Sequence, residues 1–201
     1  MGCLLSCLKG ASSSLASQDE NGIELRRDAP PFSLSQETKG SGVVVRGDVV
    51  SGVGTALSAD SLEQDCCYWE AHVVGVPDET AGMDEIACGV MRRKGPKVLN
   101  KALVGREVDE ASGLWMKSTL VSEGDVVGLA LDMSGIPMLQ CYVNGIARTD
   151  MEVKRNIRGS FYAAVSINEG TVVKLAFKKE AWKHEPPSSR FEQCVAATSL
   201  I

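Results

Sequence analysis

The first seven residues combine a glycine, a serine and two cysteines at a spacing on which acylation chemistry acts. Gly2 and Ser6 fit the Met-Gly-x-x-x-Ser pattern for transfer of a myristoyl chain to the Gly2 amine once Met1 has been removed. One myristoyl chain binds a membrane with a constant of only about 10⁴ M⁻¹, so stable attachment requires a second anchor. The first 25 residues contain a single lysine as their only basic residue, which excludes a polybasic anchor. We therefore expect palmitoylation to supply the second anchor, with Cys3 as the first candidate site and Cys7 as the second.

Two other interpretations of this segment stay open. The glycine, cysteines and leucines could coincide by chance in a disordered start of the chain. A secretory signal is disfavoured, because no positively charged region precedes Leu4 and the apolar run is short. The favoured interpretation places the protein on the cytoplasmic face of a membrane as a peripheral, lipid-anchored protein. No stretch approaches the roughly 18 apolar residues needed to cross a bilayer.

Cys66, Cys67 and His72 suggest a thiol nucleophile beside a general base. On a regular strand, however, Cys67 and His72 point to opposite faces, while Cys66 and His72 share a face about 20 Å apart. We therefore interpret these cysteines as packed thiols. His72 and His184 are the only histidines, which excludes a three-histidine zinc site.

The seven cysteines are an odd number, and no pair has the two-residue separation of a zinc knuckle or a redox motif. The simpler interpretation is a reduced, intracellular chain. We expect no metal, no cofactor and no small-molecule substrate.

Three carboxylates, Glu70, Asp125 and Asp132, lie in or beside predicted strands and give the best enzymatic alternative. A glycosidase needs two carboxylates that converge at roughly 5 to 10 Å beside a sugar-lined cleft. Nothing in the sequence shows such convergence, and 5% aromatic residues leave little surface for stacking on sugars. We therefore expect a protein that is not an enzyme, and keep a carbohydrate-binding or carbohydrate-cleaving β-sandwich as the alternative function.

Length and composition are typical of one globular domain with some chain to spare, since 44% of the 201 residues are apolar and 23% are charged. The net charge of −5 is distributed without a basic face. Phosphate binding needs clustered Lys and Arg, so nucleic acid is excluded as the main partner.

Composition divides the chain into three parts. Residues 1–39, which contain Pro30-Pro31, are predicted to form an acylated flexible tail and linker. Residues 40–183 consist of short β-rich runs separated by glycine turns and are predicted to form the folded domain. Residues 184–201, which contain Pro186-Pro187, are predicted to form a C-terminal tail.

Side chains in the middle part alternate with a period of two, which is typical of β-strands. Residues 161–167 alternate in this way and predict a half-buried strand, whereas residues 126–131 are apolar throughout, as in a strand covered on both faces. Asn144-Gly145 tolerates the positive φ of a hairpin turn. No helical pattern of about ten residues or more is present. Strands must therefore pack on strands, which predicts an all-β, two-sheet antiparallel sandwich with flexible N- and C-terminal tails.

Several landmarks follow one another in a fixed order between about residues 40 and 180. They are Tyr68-Trp69-Glu70, 86–90, Gly113-Leu114-Trp115, 123–132, Tyr142-Val143-Asn144-Gly145, 161–166 and 173–177. This order resembles that of the SPRY domain, although Cys141 replaces a usual aromatic residue and Ala163 a usual proline, both in the scaffold. The resemblance implies a curved β-sandwich of concanavalin-like, jelly-roll architecture, and members of this family mostly bind short peptide segments of other proteins.

The resemblance also implies a binding surface built from loops, whose sequences vary too much for individual residues to be carried over. The expected segments are the linker before Val43 and residues 77–84, 92–113, 134–137 and 148–159.

Three residues in this region are binding candidates. Arg92 and Arg93 begin a basic run that continues with Lys94 and could meet an acidic partner or acidic headgroups, although such a run is more often a solvated loop. Trp115 follows a long polar loop and could line a pocket, although it and Trp69 more simply fill the core.

We therefore predict a non-catalytic, membrane-anchored adaptor that binds a peptide segment of a partner protein through loops at the end of the sandwich. A scaffold subunit held by the edges of the domain is a third interpretation.

Overall fold

β-Strands dominate the computed structural model, which describes residues 31–77, 83–104, 114–148, 154–155 and 159–196. These residues contain two short helical turns, α1 (Pro96–Leu99) and a 3-10 turn (Lys179–Ala181), and no helix long and apolar enough to cross a membrane. The strands are β1 (Leu34–Lys39), β2 (Val43–Arg46), β3 (Val49–Gly52), β4 (Gly54–Ser58), β5 (Cys66–Gly75), β6 (Met83–Met91), β7 (Leu114–Ser122), β8 (Val126–Asp132), β9 (Met138–Val143), β10 (Ile146–Ala147), β11 (Lys154–Arg155), β12 (Tyr162–Ile167), β13 (Val172–Ala176) and β14 (Glu192–Gln193).

The strands form two sheets. The five-stranded sheet has the order β1-β4-β12-β6-β7, and the nine-stranded sheet has the order β10-β9-β8-β5-β13-β3-β2, with β11 beside β9 and β14 beside β5. Every pair in these sheets is antiparallel except β14 with β5. The predicted two-sheet antiparallel sandwich is therefore confirmed.

The core lies between the sheets because each strand directs alternate side chains inward. Trp69 of β5 is fully buried there, as predicted, together with Ile86 of β6 and Phe161 at the start of β12. All seven residues of β8 are buried, which confirms the prediction of a strand covered on both faces.

The strand β12 differs from its prediction, because both of its faces are covered. The outer face, which includes Ala164 and Ser166, is buried beneath residues 94–104. Leu99 of that segment packs on this face, and the amide of the buried Leu103 donates to Ser166 Oγ at 2.7 Å. Gly40 permits the close approach, since a Cβ there would overlap the carbonyl oxygen of Leu99. The outer face of the five-stranded sheet is thus covered by a loop, which alternation alone does not reveal.

The boundaries of the packed structure differ from those of the predicted domain, 40–183. On the N-terminal side β1 begins at Leu34, and the ring of Phe32 packs edge-on against Phe177 with centroids 4.9 Å apart. On the C-terminal side, Phe191 and Cys194 are buried. Residues 178–196, which we call the C-terminal strap, lie across the outer face of the nine-stranded sheet and end beside β5.

Candidate functional site

One end of the sandwich brings together several of the expected loop segments, and we call it the loop end. β4 ends there at Ser58, and Leu62 in the following segment pairs with Phe161, which precedes β12 of the same sheet, before the chain enters β5 of the other sheet. β6 ends at Met91 opposite Tyr162, and in the nine-stranded sheet Asp132 and Met138 are register partners at the same end. Residues that follow β6, join β8 to β9, and precede β12 therefore share this end.

Two of the expected segments lie elsewhere. The linker before Val43 forms β1, at the edge of the five-stranded sheet. The segment 77–84 joins the strand ends at Gly75 and Met83, which pair with Val172 and Ser122 at the opposite end of the sandwich. The loop end therefore collects Arg92 and Arg93, residues 134–137, and the described part of the segment 148–159 that lies nearest β12. Residues 94–104 instead lie over the outer face of the five-stranded sheet.

Arg92 directly follows β6, and its side chain contacts the residues that lead into β12. Its guanidinium carbon lies 5.7 Å from the ring centroid of the buried Phe161, within the range of a cation–π contact. The same guanidinium lies beside Gly159, where an added Cβ would contact it at 3.6–3.8 Å. Arg92 is exposed and held in place by these neighbours.

Arg93 points to a different part of the molecule. Its guanidinium carbon lies 5.6 Å from the ring centroid of Tyr162, and Nη2 donates to Thr38 Oγ1 at 3.0 Å. Tyr162 packs on the outer face of the five-stranded sheet, whereas Phe161 packs in the core, so the two arginines follow opposite faces of β12. The basic run is therefore divided between two aromatic partners.

The structure places the remaining candidates as follows. Trp115 lies in β7 as the register partner of Val90, so Arg92, Arg93 and Trp115 follow or occupy the ends of adjacent strands. Gly2, Cys3 and Cys7 lie outside the described residues.

A small pocket, which the sequence did not indicate, opens at the loop end on the outer face of the nine-stranded sheet. Its volume is about 90 Å³, and it lies between β8, β9 and the C-terminal strap. Ala130, Met138 and Phe191 supply apolar walls. Its polar lining consists of Asp132, Gln140, Ser188 and Arg190.

The Asp132 carboxylate in this pocket is held by several hydrogen bonds and an ion pair. Its Oδ1 accepts from the Ser134 amide at 3.0 Å, from Ser134 Oγ at 2.7 Å and from Cys66 Sγ at 3.5 Å, while Oδ2 pairs with Arg190. Burial acts to raise the pKa of Asp132, but the hydrogen bonds from Ser134 and the charge of Arg190 outweigh it and hold that pKa below its ordinary value. Asp132 is therefore a structural carboxylate that positions Arg190.

Glu70 is fully buried beneath the strap and accepts four hydrogen bonds. Tyr68 Oη donates at 3.1 Å and His72 Nε2 lies at 2.7 Å; the backbone amides of Lys183 and His184 donate at 2.7 and 2.9 Å. Burial acts to raise the pKa of Glu70, yet these hydrogen bonds outweigh it and lower that pKa. Burial and the Glu70 charge raise the pKa of Tyr68. This carboxylate holds the strap on the sheet.

The third carboxylate considered for sugar chemistry also has a structural role. Asp125 Oδ2 accepts from the Ser122 amide at 2.8 Å, and Oδ1 accepts from Asn144 Nδ2 at 2.9 Å. These bonds join the β7–β8 turn to the β9–β10 turn. Each of the three carboxylates is thus engaged by the scaffold.

Cys66 and His72 lie at opposite ends of the β5–β8 pairing, opposite Asp132 and Val126. Burial raises the pKa of Cys66 and those of Cys88 and Cys194. Burial therefore keeps these three thiols mainly protonated. Of the two cysteines predicted to be packed, Cys67 is buried and Cys66 is partly buried. Within the described ranges, no group of three His, Cys, Asp or Glu residues could hold a metal ion.

The sequence pattern did not indicate Arg190 and Phe191, because Pro186-Pro187 before them are typical of a tail. A signal was present, since Trp182, Phe191 and Cys194 are apolar or aromatic residues of a kind that tails seldom carry. All three are partly or fully buried in the structure.

Solved structures share this fold at low sequence identity. The NEUZ (NHR) domain in Neuralized from Drosophila melanogaster superposes with a TM-score of 0.53 and 12% identity, covering 75% of this chain and 94% of that one. The PSpry domain of TRIM65 gives a TM-score of 0.50 and 12% identity with the same coverage, 75% and 94%. A comparison with protein-family models gives no match, and neither does one with curated proteins. The chain therefore has a SPRY-like fold, which confirms the resemblance at the level of the fold.

Proposed function

We propose that this SPRY-like β-sandwich is a non-catalytic protein-binding adaptor, held at the cytoplasmic face of a membrane by acyl chains on Gly2 and Cys3, with Cys7 as a further acylation site. It binds a peptide segment of a partner protein through the loop end. The observation that carries the proposal is the fold, because SPRY domains serve as protein-interaction modules. A rigid sandwich that presents variable loops at one end is a common design for recognition.

Three exposed side chains support peptide recognition at the loop end. Arg92 and Arg93 are exposed arginines whose guanidinium groups are oriented by Phe161 and Tyr162. Ile136, at the tip of the turn between β8 and β9, is 62% exposed. Arginine side chains that are oriented in advance lose less entropy on binding, and arginine is enriched at protein interfaces.

The proposed anchor confines the domain to a membrane surface. A partner on the same membrane surface meets the domain at a raised effective concentration, so modest affinity suffices. Engagement of Glu70, Asp125 and Asp132 by scaffold donors favours a binding module over a sugar-cleaving enzyme.

Proximity labelling from cell membranes tests the anchor and the partner together. The full chain with Gly2→Ala should shift to the soluble fraction and lose its membrane-derived labelled proteins. An unchanged membrane fraction contradicts the lipid anchor.

A matched pair of exposed isoleucines tests the loop end. Ile136 lies there, whereas Ile146 of β10 lies near the opposite end and is 72% exposed. Ile136→Asp should reduce labelling of the partners, and Ile146→Asp should leave it unchanged. Equal labelling by both variants, or saturable binding of the full chain to a glycan array, contradicts peptide recognition at this end.

A further inference from the structure

We propose that the pocket beside Arg190 binds an acidic side chain from an extended segment of a partner protein. This inference rests on the proposed function, and it names the chemistry of the partner and a binding residue outside the loops expected from the sequence. The pocket adjoins the turn that carries Ile136, so it continues the loop end onto the outer face of the nine-stranded sheet.

The small volume of the pocket fits a single side chain of a partner protein. Its volume of about 90 Å³ corresponds to roughly three water molecules, whereas pockets for whole small molecules occupy about 300–1,000 Å³. The apolar walls of Met138 and Phe191 suit the methylenes of a short side chain, and the polar rim suits its end group.

The positive charge of Arg190 at the rim of the pocket favours a carboxylate. The Arg190 side chain is 55% exposed, and within the described chain its guanidinium makes one ion pair, from Nη2 to Asp132. A guanidinium has five N–H donors and can bind a second carboxylate on its outer edge in a bidentate manner. Asp132 does not compete for that edge, because Ser134 and Cys66 satisfy its other oxygen.

The surroundings of Arg190 are ordered. The backbone of β11 pairs with Leu139 and Met138 of β9, beside the pocket. The Arg190 guanidinium carbon lies 5.5 Å from the ring centroid of Phe191, and Phe191 is buried. Arg190 is thus oriented before a partner arrives, which lowers the entropic cost of binding.

Short synthetic peptides provide the probe, each with glutamate, glutamine or lysine at a central position between leucines. Binding to the full-length, ¹⁵N-labelled protein is followed by chemical-shift changes and by fluorescence anisotropy. The glutamate peptide should bind at least about tenfold more tightly than the glutamine peptide, as a charge-assisted pair requires. Equal affinity of these two peptides overturns the proposal.

Variants locate the site. Arg190→Gln should remove the preference for glutamate, and Ser188→Trp should block binding by filling the pocket at an exposed position. Arg46→Gln is the matched control, because this exposed arginine lies on β2, four strands or about 19 Å from β8. Thermal unfolding of each variant shows whether it retains its fold, and Arg190→Lys keeps the charge if glutamine proves destabilising.

The remaining outcomes separate this proposal from the proposed function. Glutamate binding that survives Arg190→Gln and Ser188→Trp but is lost with Arg93→Gln overturns the pocket and leaves a peptide site at the loop end. Binding of the protein to anionic lipid vesicles that depends on Arg190, with no peptide binding, overturns an acidic peptide as the occupant. If none of the peptides binds while partner labelling in cells is unchanged, the proposal of an acidic side chain in the pocket is wrong. The proposed protein-binding function is then not contradicted.

Discussion

Single residues on the outer face of β5 decide whether the C-terminal strap stays on the sheet. Tyr68, Glu70 and His72 occupy alternate positions of the strand and are all buried. Two of the four donors to Glu70 are backbone amides of Lys183 and His184, more than a hundred residues away in sequence. A buried carboxylate is stable only when its charge is compensated in this way, so Glu70 and the strap depend on each other.

Glu70→Gln should therefore destabilise the fold strongly. Glutamine keeps the shape but loses the charge, and its amide group turns a donor toward at least one of the existing donors. We expect the free energy of unfolding to fall by about 3 kcal/mol, measured by urea denaturation. Glu123→Gln, at an exposed position in the β7–β8 turn, is the matched control and should change it by less than about 0.5 kcal/mol. Equal effects of the two substitutions would show that Glu70 does not hold the strap.

The same carboxylates predict how stability depends on pH. Glu70 and Asp132 have pKa values below their ordinary values of 4.5 and 3.8 in the folded state. The unfolded chain therefore takes up protons first as the pH falls, and both groups stabilise the fold fully only above their ordinary values. We expect the free energy of unfolding to decrease between about pH 5 and pH 3, and to decrease less steeply in Glu70→Gln. Parallel pH profiles of the two proteins would assign the acid sensitivity to other groups.

The sequence could indicate these residues only in part. Trp69 was expected to fill the core and lies there. Burial of Glu70 could not be predicted, because two of its donors are the backbone amides of Lys183 and His184, at the boundary of the predicted tail and far from β5 in sequence. Arg92 and Arg93 were recognised as a charged run, but their separation onto Phe161 and Tyr162 arises because these two neighbouring rings, at the start of β12, point to opposite faces of the sheet.

At the scale of elements, two segments that consist mostly of loop cover the outer faces of the two sheets. Residues 94–104 cover the five-stranded sheet, and the strap covers the nine-stranded sheet. The strands themselves could be predicted from their alternation, because a period of two is a local property. Coverage of their outer faces is a long-range property, which explains why β12 was expected to be half-buried and is instead buried on both sides.

The contact between Gly40 and α1 provides a test of the first cover. Gly40→Ala would place a methyl group against the Leu99 carbonyl oxygen and should push residues 94–104 away from the sheet. We expect a loss of about 1–3 kcal/mol in the free energy of unfolding and faster amide hydrogen exchange at Leu103. Gly135→Ala is the control, since nothing lies within 4 Å of a Cβ there. Unchanged exchange at Leu103 would mean that the loop adapts without leaving the sheet.

At the scale of the whole molecule, the packed structure extends beyond both boundaries that composition suggested. The core between the sheets includes Phe32, which precedes β1, and Cys194, which follows β14. Serine, proline and charged residues near both ends predicted tails because local composition carries no information on distant partners. The edge-on contact between Phe32 and Phe177 and the pairing of β14 with β5 are such distant partners.

Two fragments of the chain test whether the observed or the predicted boundaries enclose a stable domain. Residues 31–196 contain both sheets with their covers and should unfold cooperatively, with a thermal midpoint close to that of the full chain. Residues 40–183 lack β1 and β14, and removal of Phe191 also exposes the apolar side of Tyr68 and Ala130. Loss of one buried phenylalanine costs about 3–5 kcal/mol, a large part of the 5–15 kcal/mol typical of a domain. We therefore expect the shorter fragment to lose near-ultraviolet circular dichroism and to aggregate, whereas cooperative unfolding of both fragments would show that the strap is dispensable for the fold.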